Sequence, residues 1–416
     1  MEKFLGYRCS LCGTEYGPTQ VTYLCPKDRG VLDVVLDYVA INRSTNPKGI
    51  SSSGDCSIWR YVELLPVKDP GNLGTPLRSV GWTPVYEPIK MARELNLRQL
   101  WIKDESKNPT ASFKDRASAV VLARAAEMGA QIVVTASTGN AGAALAGIAA
   151  ATGQTAVIFA PKSAPPAKVA QLLIYGARVV LVDGNYDSAV QLSQQAAEEF
   201  GWYCRNTAYN PFTIEGKKTA ALEIWEQVLS NQNLKRQLSI FVSVGDGNII
   251  SGLKKGFREL AELGWVKQMP RLFGVQADGS AAIANAFDAK TEEIMPVQAN
   301  TIADSLSVDM PSDGLRALRA ATQTGGAYLK VSDAEILSAI ADLGRIAVFA
   351  EPAGAAAYAG LRAALNSGLI GAGDPVLVLN TGSGFKDVVA VKQAAGEAMV
   401  IEPTLDELKK AVEVWH

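Results

Sequence analysis

From about residue 97 onward, short apolar runs alternate with stretches of helical periodicity, and few folds accommodate that pattern. The runs are 131–136 (QIVVTA), 155–160 (TAVIFA), 177–183 (ARVVLVD), 239–244 (SIFVSV), 271–276 and 375–380 (PVLVLN). A strand that faces water on one side alternates apolar and polar residues, so runs apolar on both faces belong in a sheet covered on both sides. Between them, 166–175, 186–200, 215–231 and 249–263 read as helices, the crossovers that parallel strands require. The expected class is α/β, with mostly parallel sheets covered by helices. A chain of 416 residues is long enough for two or three cores of this kind.

In such sheets ligands bind beyond the carboxyl ends of strands, where loops give way to helix N-termini. Lys114 stands there, in NPTASFKDR at 108–116, after the apolar Leu100, Trp101 and Ile102 and before a helical segment carrying Ala117, Val120, Val121 and Ala125. A lysine fixed at such a turn is desolvated, which lowers its pKa and frees the neutral amine to form a Schiff base. The bland alternative is a solvated lysine beside Asp115 and Arg116. The sole histidine is His416, so histidine triads and histidine-bound catalytic metals have no player. Acid and base work falls to Lys, Asp, Glu, Tyr or a cofactor.

Further loops occupy equivalent positions. STGN at 137–140 precedes a helix of small residues; Ser137 and Thr138 cap it, the glycine admits a ligand and Asn140 offers an amide. GDGN, formed by Gly245, Asp246, Gly247 and Asn248, opens an amphipathic helix whose N-terminal amides suit a phosphate, provided the Asp246 carboxylate points away. It is neither a Walker loop nor a dinucleotide fingerprint. TGSG at 381–384 puts Thr381 at a strand end, where its hydroxyl can meet a heterocyclic nitrogen. Each loop alone is explained equally well by a capped helix or a tight turn.

The front of the chain differs. Cys9 and Cys12 form a CxxCG knuckle, and Cys25 with Asp28 stands in CPKD where a second knuckle would be. This leaves two readings: a structural zinc held by Cys9, Cys12, Cys25 and Asp28 or completed by Cys56, and a degenerate ribbon held by packing without metal. Cysteine usage suggests no disulfide framework. Residues 1–35 are expected to form this zinc-ribbon-like module, 43–56 a linker, and 401–416 a peripheral C-terminal helix. A formal charge of −2 argues against nucleic acid as a partner. No apolar run spans a bilayer and MEKFLGYR leads into no signal core, so a cytoplasmic protein is expected.

The order of SFKDR, STGN, a glycine-rich phosphate loop and TGSG resembles the pyridoxal-phosphate enzymes of the tryptophan synthase β superfamily, fold type II. NPFTIEGKKT at 210–219, EPAGAAA at 351–357, TGSGFKD at 381–387 and the cysteine knuckle are similar to the threonine synthase group within it. The resemblance implies a larger cofactor domain from 57–115 and 235–400, a smaller α/β domain at 116–234, and a homodimer. It implies that Lys114 holds pyridoxal 5'-phosphate and shuttles protons, that Asn140 bonds the ring oxygen, that residues 245–248 cradle the phosphate, and that Thr381 faces the pyridine nitrogen. Ser137, Thr138 and Thr213 would contact a small amino-acid substrate, with Lys103 a further candidate for its phosphate.

The implied reaction is γ-elimination of phosphate from O-phosphohomoserine followed by addition of water to give threonine. Departures bear on that substrate. Thr213 stands where threonine synthases usually carry a phosphate-binding arginine, and Ala141 where they carry a threonine. Lys217 or Lys218 compensates, or both form a solvated helix face. The nearest alternative is β-elimination or β-replacement on serine, threonine or phosphoserine; a more distant one is a non-catalytic metabolite-binding protein.

Overall fold

The structure is a computed structural model that describes residues 3–232 and 234–413. A four-stranded, wholly parallel sheet runs in spatial order Arg178–Val182, Thr155–Pro161, Ile132–Ala136 and Tyr203–Cys204. A six-stranded sheet runs Tyr328–Val331, Arg271–Ala277, Ser239–Ser243, Val376–Asn380, Leu100–Asp104 and Val85–Tyr86. Its only antiparallel strand is Val85–Tyr86, at one edge. Every residue of Leu100–Asp104, Ser239–Ser243 and Val376–Asn380 is buried, which is why their sequences show no alternation.

The run at 177–183 departs from that expectation. As Arg178–Val182 it is an edge strand with Val180 and Leu181 exposed, because no strand covers its outer side. Tyr328–Val331 was not foreseen, being a short, partly polar edge strand without a clear pattern. The interval 43–56 is less of a linker than its composition suggests. It overlaps the helices Tyr38–Ser44 and Pro47–Ser51, started by the Asp37 and Asn46 side chains accepting from Ala40 N–H and Gly49 N–H. The last helix is Leu405–Glu413, and residues 414–416 of the expected terminal helix lie outside the described residues.

Two helices place the site. Lys114–Glu127 follows the strand Leu100–Asp104 after a short 3-10 turn, so the expected division at 115/116 falls inside it. Phe212–Ile224 crosses it so closely that a Cβ on Gly216 would lie 2.0 Å from the Arg116 carbonyl. Every residue of this second helix is buried, including Glu215, Lys217, Lys218 and Glu223, so the solvated-face reading of its lysines is wrong.

Such charges persist in a core only when paired. Lys218 lies 2.6 Å from Glu215 and 2.7 Å from Glu259, and Lys255 lies 3.0 Å from Glu259. On the helix's other side Arg116 spans Glu105 and Glu223, and Lys103 lies 2.8 Å from Glu223.

The front sheet, in order Glu15–Tyr16, Phe4–Cys9 and Leu32–Leu36, docks onto this body. Phe4 packs edge-on against Phe212, Asp33 pairs with Arg316 at 2.6 Å, and Lys255 donates to the Val34 carbonyl.

Candidate active site

Lys114 is the first residue of its helix and is half-buried. The turn before it is fastened to the 381–384 loop: Phe113 N–H donates to the Thr381 carbonyl at 2.9 Å, and Ser383 N–H to the Ala111 carbonyl at 3.1 Å. Ala111 takes φ +64° to make the turn. Burial is the main cause that pulls the Lys114 amine below the usual lysine range; Glu351 opposes it and Arg205 adds to it.

The same loop fixes Glu351, whose N–H donates to the Gly382 carbonyl. Its Oε1 accepts from Asn140 Nδ2 at 2.7 Å, and a Cβ on Gly382 would come within 2.1 Å of that oxygen. Burial raises the Glu351 carboxyl, with Lys114 and Asn140 pulling the other way. Asn140 thus joins the site through a carboxylate that the sequence reading missed, although EPAGAAA contains it. Thr138, Gly139, Asn140 and Glu351 line a cleft together with Lys168 and Asp304, which pair at 2.6 Å. Ser137 holds its turn by accepting from Gly139 N–H.

GDGN lies at the N-terminus of the helix Asn248–Glu262. Gly247 takes φ +90°, and a Cβ there would sit 2.5 Å from that of Ala317. Asp246 does turn away, accepting from Ser312 N–H and Oγ–H. Among the described residues, no hydrogen bond uses the backbone amides of 245–248. Asn248 Oδ1 accepts from Lys217 Nζ at 2.6 Å, while its Nδ2 donates to Asp313. Thr213 lies beside this pair, its Oγ1 3.4 Å from Asn248 Oδ1. Thr381 is buried with its carbonyl taken by Phe113.

Lys103 does not join them. Its ammonium is fully buried against Glu223, Gln227 and the Thr83 carbonyl, so it is part of the charged core and not a substrate ligand. Lys218 is likewise consumed by Glu215 and Glu259. Lys217 is different: it has no carboxylate partner, and burial, then Arg205 and Lys114, hold its amine well below the usual range. Arg205 is the other residue that sequence reasoning missed. It follows the two-residue strand Tyr203–Cys204, too short to announce itself by periodicity.

The arrangement offers a half-buried amine, a glycine cradle of unused amides and a buried hydroxyl. A model of the family described as Pyridoxal-phosphate dependent enzyme matches residues 77–382. The chain belongs to that family. As a member of it, this chain is an enzyme, and the non-catalytic reading falls. Among curated relatives, threonine synthase of Methanocaldococcus jannaschii is 36% identical over 97% of this chain and 98% of its own length. Threonine synthase of Methanosarcina acetivorans is 35% identical over 97% and 98%. Among solved structures, maize serine racemase superposes with a TM-score of 0.63 at 25% identity, covering 80% of this chain and 94% of its own. The processed form of threonine deaminase isoform 2 from Solanum lycopersicum, at 23% identity and TM-score 0.66 over 82% and 88%, shares the fold.

The residues present fit pyridoxal phosphate. The unused amides at 245–248, with Lys217 behind them, match a phosphate, and the half-buried Lys114 amine matches an aldehyde.

Proposed function

We propose that this enzyme releases phosphate from O-phosphohomoserine and adds water to give threonine. The observation that carries the reading is Lys217, tied to Asn248 of the 245–248 loop and near both Arg205 and Lys114, three basic groups that meet no carboxylate at salt-bridge distance among the described residues. Two phosphates, one on the cofactor and one on the substrate, would supply the missing negative charge. The threonine synthases similar over nearly the whole chain support the same choice.

When bound, pyridoxal phosphate supplies an electron sink for carbanion chemistry. Lys114 would hold the cofactor and is the group placed to move the proton; burial lowers its pKa and so raises the share of neutral amine. The amides of Gly245, Asp246, Gly247 and Asn248 bind the cofactor phosphate. Asn140, oriented by Glu351, serves the ring oxygen. Thr381 would meet the ring nitrogen with a neutral hydroxyl, which would favour elimination and replacement over transamination. Ser137 and Thr138 bind the amino acid, and Thr213 lies near its distal end. We assign the six-stranded sheet, within 57–115 and 235–400, to the cofactor domain and the four-stranded sheet, within 116–234, to the smaller one, with the boundary moved off 115/116 to the start of the helix Lys114–Glu127. The reading extends to a cytoplasmic homodimer that engages neither nucleic acid nor membrane; no helix among the described residues is long and apolar enough to cross one.

Phosphate and threonine, measured together from O-phosphohomoserine, should appear in equal amounts. Phosphate without threonine, or keto acid formed from serine or threonine in its place, would sink the reading and favour the β-elimination alternative.

The front module carries its own proposal, a structural zinc. The donor atoms of Cys9, Cys12, Cys25 and Asp28 all lie within 4.8 Å of one another, with Cys12 Sγ 3.8 Å from Cys25 Sγ. Zinc–sulfur bonds of about 2.3 Å in a tetrahedron require sulfur separations of that order. Cys56 is not among these donors; its thiol lies beside the Gly54 carbonyl. Metal analysis should find about one zinc per chain, retained in Cys56→Ser and lost in Cys25→Ser. A metal-free wild type purified without chelator would return the module to a ribbon held by packing.

A further inference from the structure

The buried cations of this protein divide into two groups. Lys103, Arg116, Lys218, Lys255 and Arg60 each meet one or more carboxylates at salt-bridge distance. Arg205 is as deeply buried, at 0% exposure, and has none. Its Nε points to Ser118 Oγ at 3.4 Å and its Nη1 donates to Thr207 Oγ1 at 2.9 Å, but its Nη2 has no partner among the described residues. An uncompensated guanidinium in a core is costly, and burial is the main cause that brings this one down to about 10. Asp115 is the carboxyl that acts on it from a distance, yet burial pushes that group up to about 7, and it is already taken by Thr110.

Position explains what the unused donor serves. Arg205 N–H donates to the Val134 carbonyl, and the next side chain, Asn206, accepts from Ala136 N–H, so the strand end lies beside the Ser137–Asn140 loop. Ser118, which orients the guanidinium, is one helical turn beyond Lys114 on the same face. Lys217, by contrast, is tied to Asn248 on the cofactor-phosphate loop. The two cations therefore serve two anions.

We propose that Arg205 binds the anionic group at the end of the substrate's side chain, standing in for the arginine that this chain replaces with Thr213. The inference rests on the phosphorylated-substrate reading above and adds the residue that recognises the phosphate. A guanidinium presents two parallel donors to a phosphate, and charge-assisted pairs of this kind discriminate strongly.

The test uses holoenzyme and two ligands that cannot react through loss of phosphate: the phosphonate isostere of O-phosphohomoserine, and norvaline, which lacks only the phosphonate. Binding is followed by calorimetry and by the cofactor's absorbance. In Arg205→Gln the phosphonate should weaken by about 10- to 100-fold, as expected for loss of a hydrogen bond to a charged group, while norvaline is unchanged. Arg205→Lys, keeping the charge without the fork, should fall between. Because the free guanidinium is unpaired, Arg205→Gln should also melt no lower than the wild type without ligand, whereas a merely structural arginine would leave a less stable variant. Equal weakening of both ligands, or phosphonate binding within twofold of wild type, overturns the assignment. Inorganic phosphate separates the two levels. If the wild type does not prefer the phosphonate to norvaline, the substrate reading fails; the Arg205 site then survives only if phosphate binding is lost in Arg205→Gln, and falls if both proteins bind it equally.

Discussion

Lys114→Ala is expected to abolish turnover, with kcat lower by roughly 10³-fold or more, the scale of losing a positioned proton-transfer group together with its covalent role. Borohydride reduction followed by peptide mapping should place the cofactor on the peptide containing Lys114 in the wild type and on none in the variant. The fold should survive, because the half-buried Lys114 amine is not used by the core: its influences are Glu351, Arg205 and Asp246 acting from a distance. Removing it relieves the cost of taking an amine out of water, the cause of its lowered pKa, so thermal stability without cofactor should be unchanged or slightly higher. A variant that keeps more than a tenth of wild-type activity would show that another group supplies the amine.

Glu223→Ala is expected to have the largest effect on stability, about 3–5 kcal/mol. Glu223 accepts from Arg116 through both oxygens, from Lys103 and from the Trp82 and Thr83 backbone N–H groups. Its loss leaves two buried cations with Glu105 as their remaining carboxylate, and the measurement is the denaturant midpoint of the unfolding transition. Leaving either cation alone costs more than the pair contributes, since the pair itself is expensive to desolvate. The same group sets an acid limit. Burial alone would raise its carboxyl, but Arg116 and then Lys103 outweigh burial and hold it at about 2. A folded pKa below the unfolded one means that the stability is fully present above about pH 4.5. It is lost progressively as pH falls from there toward 2. Acid unfolding of Glu223→Ala should therefore show a shallower pH dependence than that of the wild type across this window.

How much of this was legible beforehand depends on the kind of residue. The central strands were readable because burial on both faces removes polar residues altogether, as in Val376–Asn380. The glycine loop was readable because a φ of +90° and a close approach to Ala317 leave little besides glycine. The charges of the Phe212–Ile224 helix were not. Glu215, Lys218 and Glu223 look like a solvated face, since only the fold supplies the partners from residues 103, 116, 255 and 259 that permit their burial, as it supplies Asn248 to Lys217. Lys103 misled for the same reason: proximity to Lys114 in sequence said nothing about Glu223. Glu351 lay in plain view in EPAGAAA, but its contact with Asn140 spans a sequence separation no local pattern records.

The strand Val376–Asn380 lies in the middle of the larger sheet, between Ser239–Ser243 and Leu100–Asp104, although it is the last strand among the described residues. On a ribosome, the strand that bears on Lys114 is therefore made long before the neighbour it needs. Until residue 380 has emerged, Leu100–Asp104 has one parallel edge open, and the turn at 111–113 lacks the Thr381 and Ser383 backbone that fastens it. Assembly of the catalytic centre is thus deferred until the 381–384 loop has been made. A chain that stops before residue 376 holds the reactive lysine without the loop that positions it.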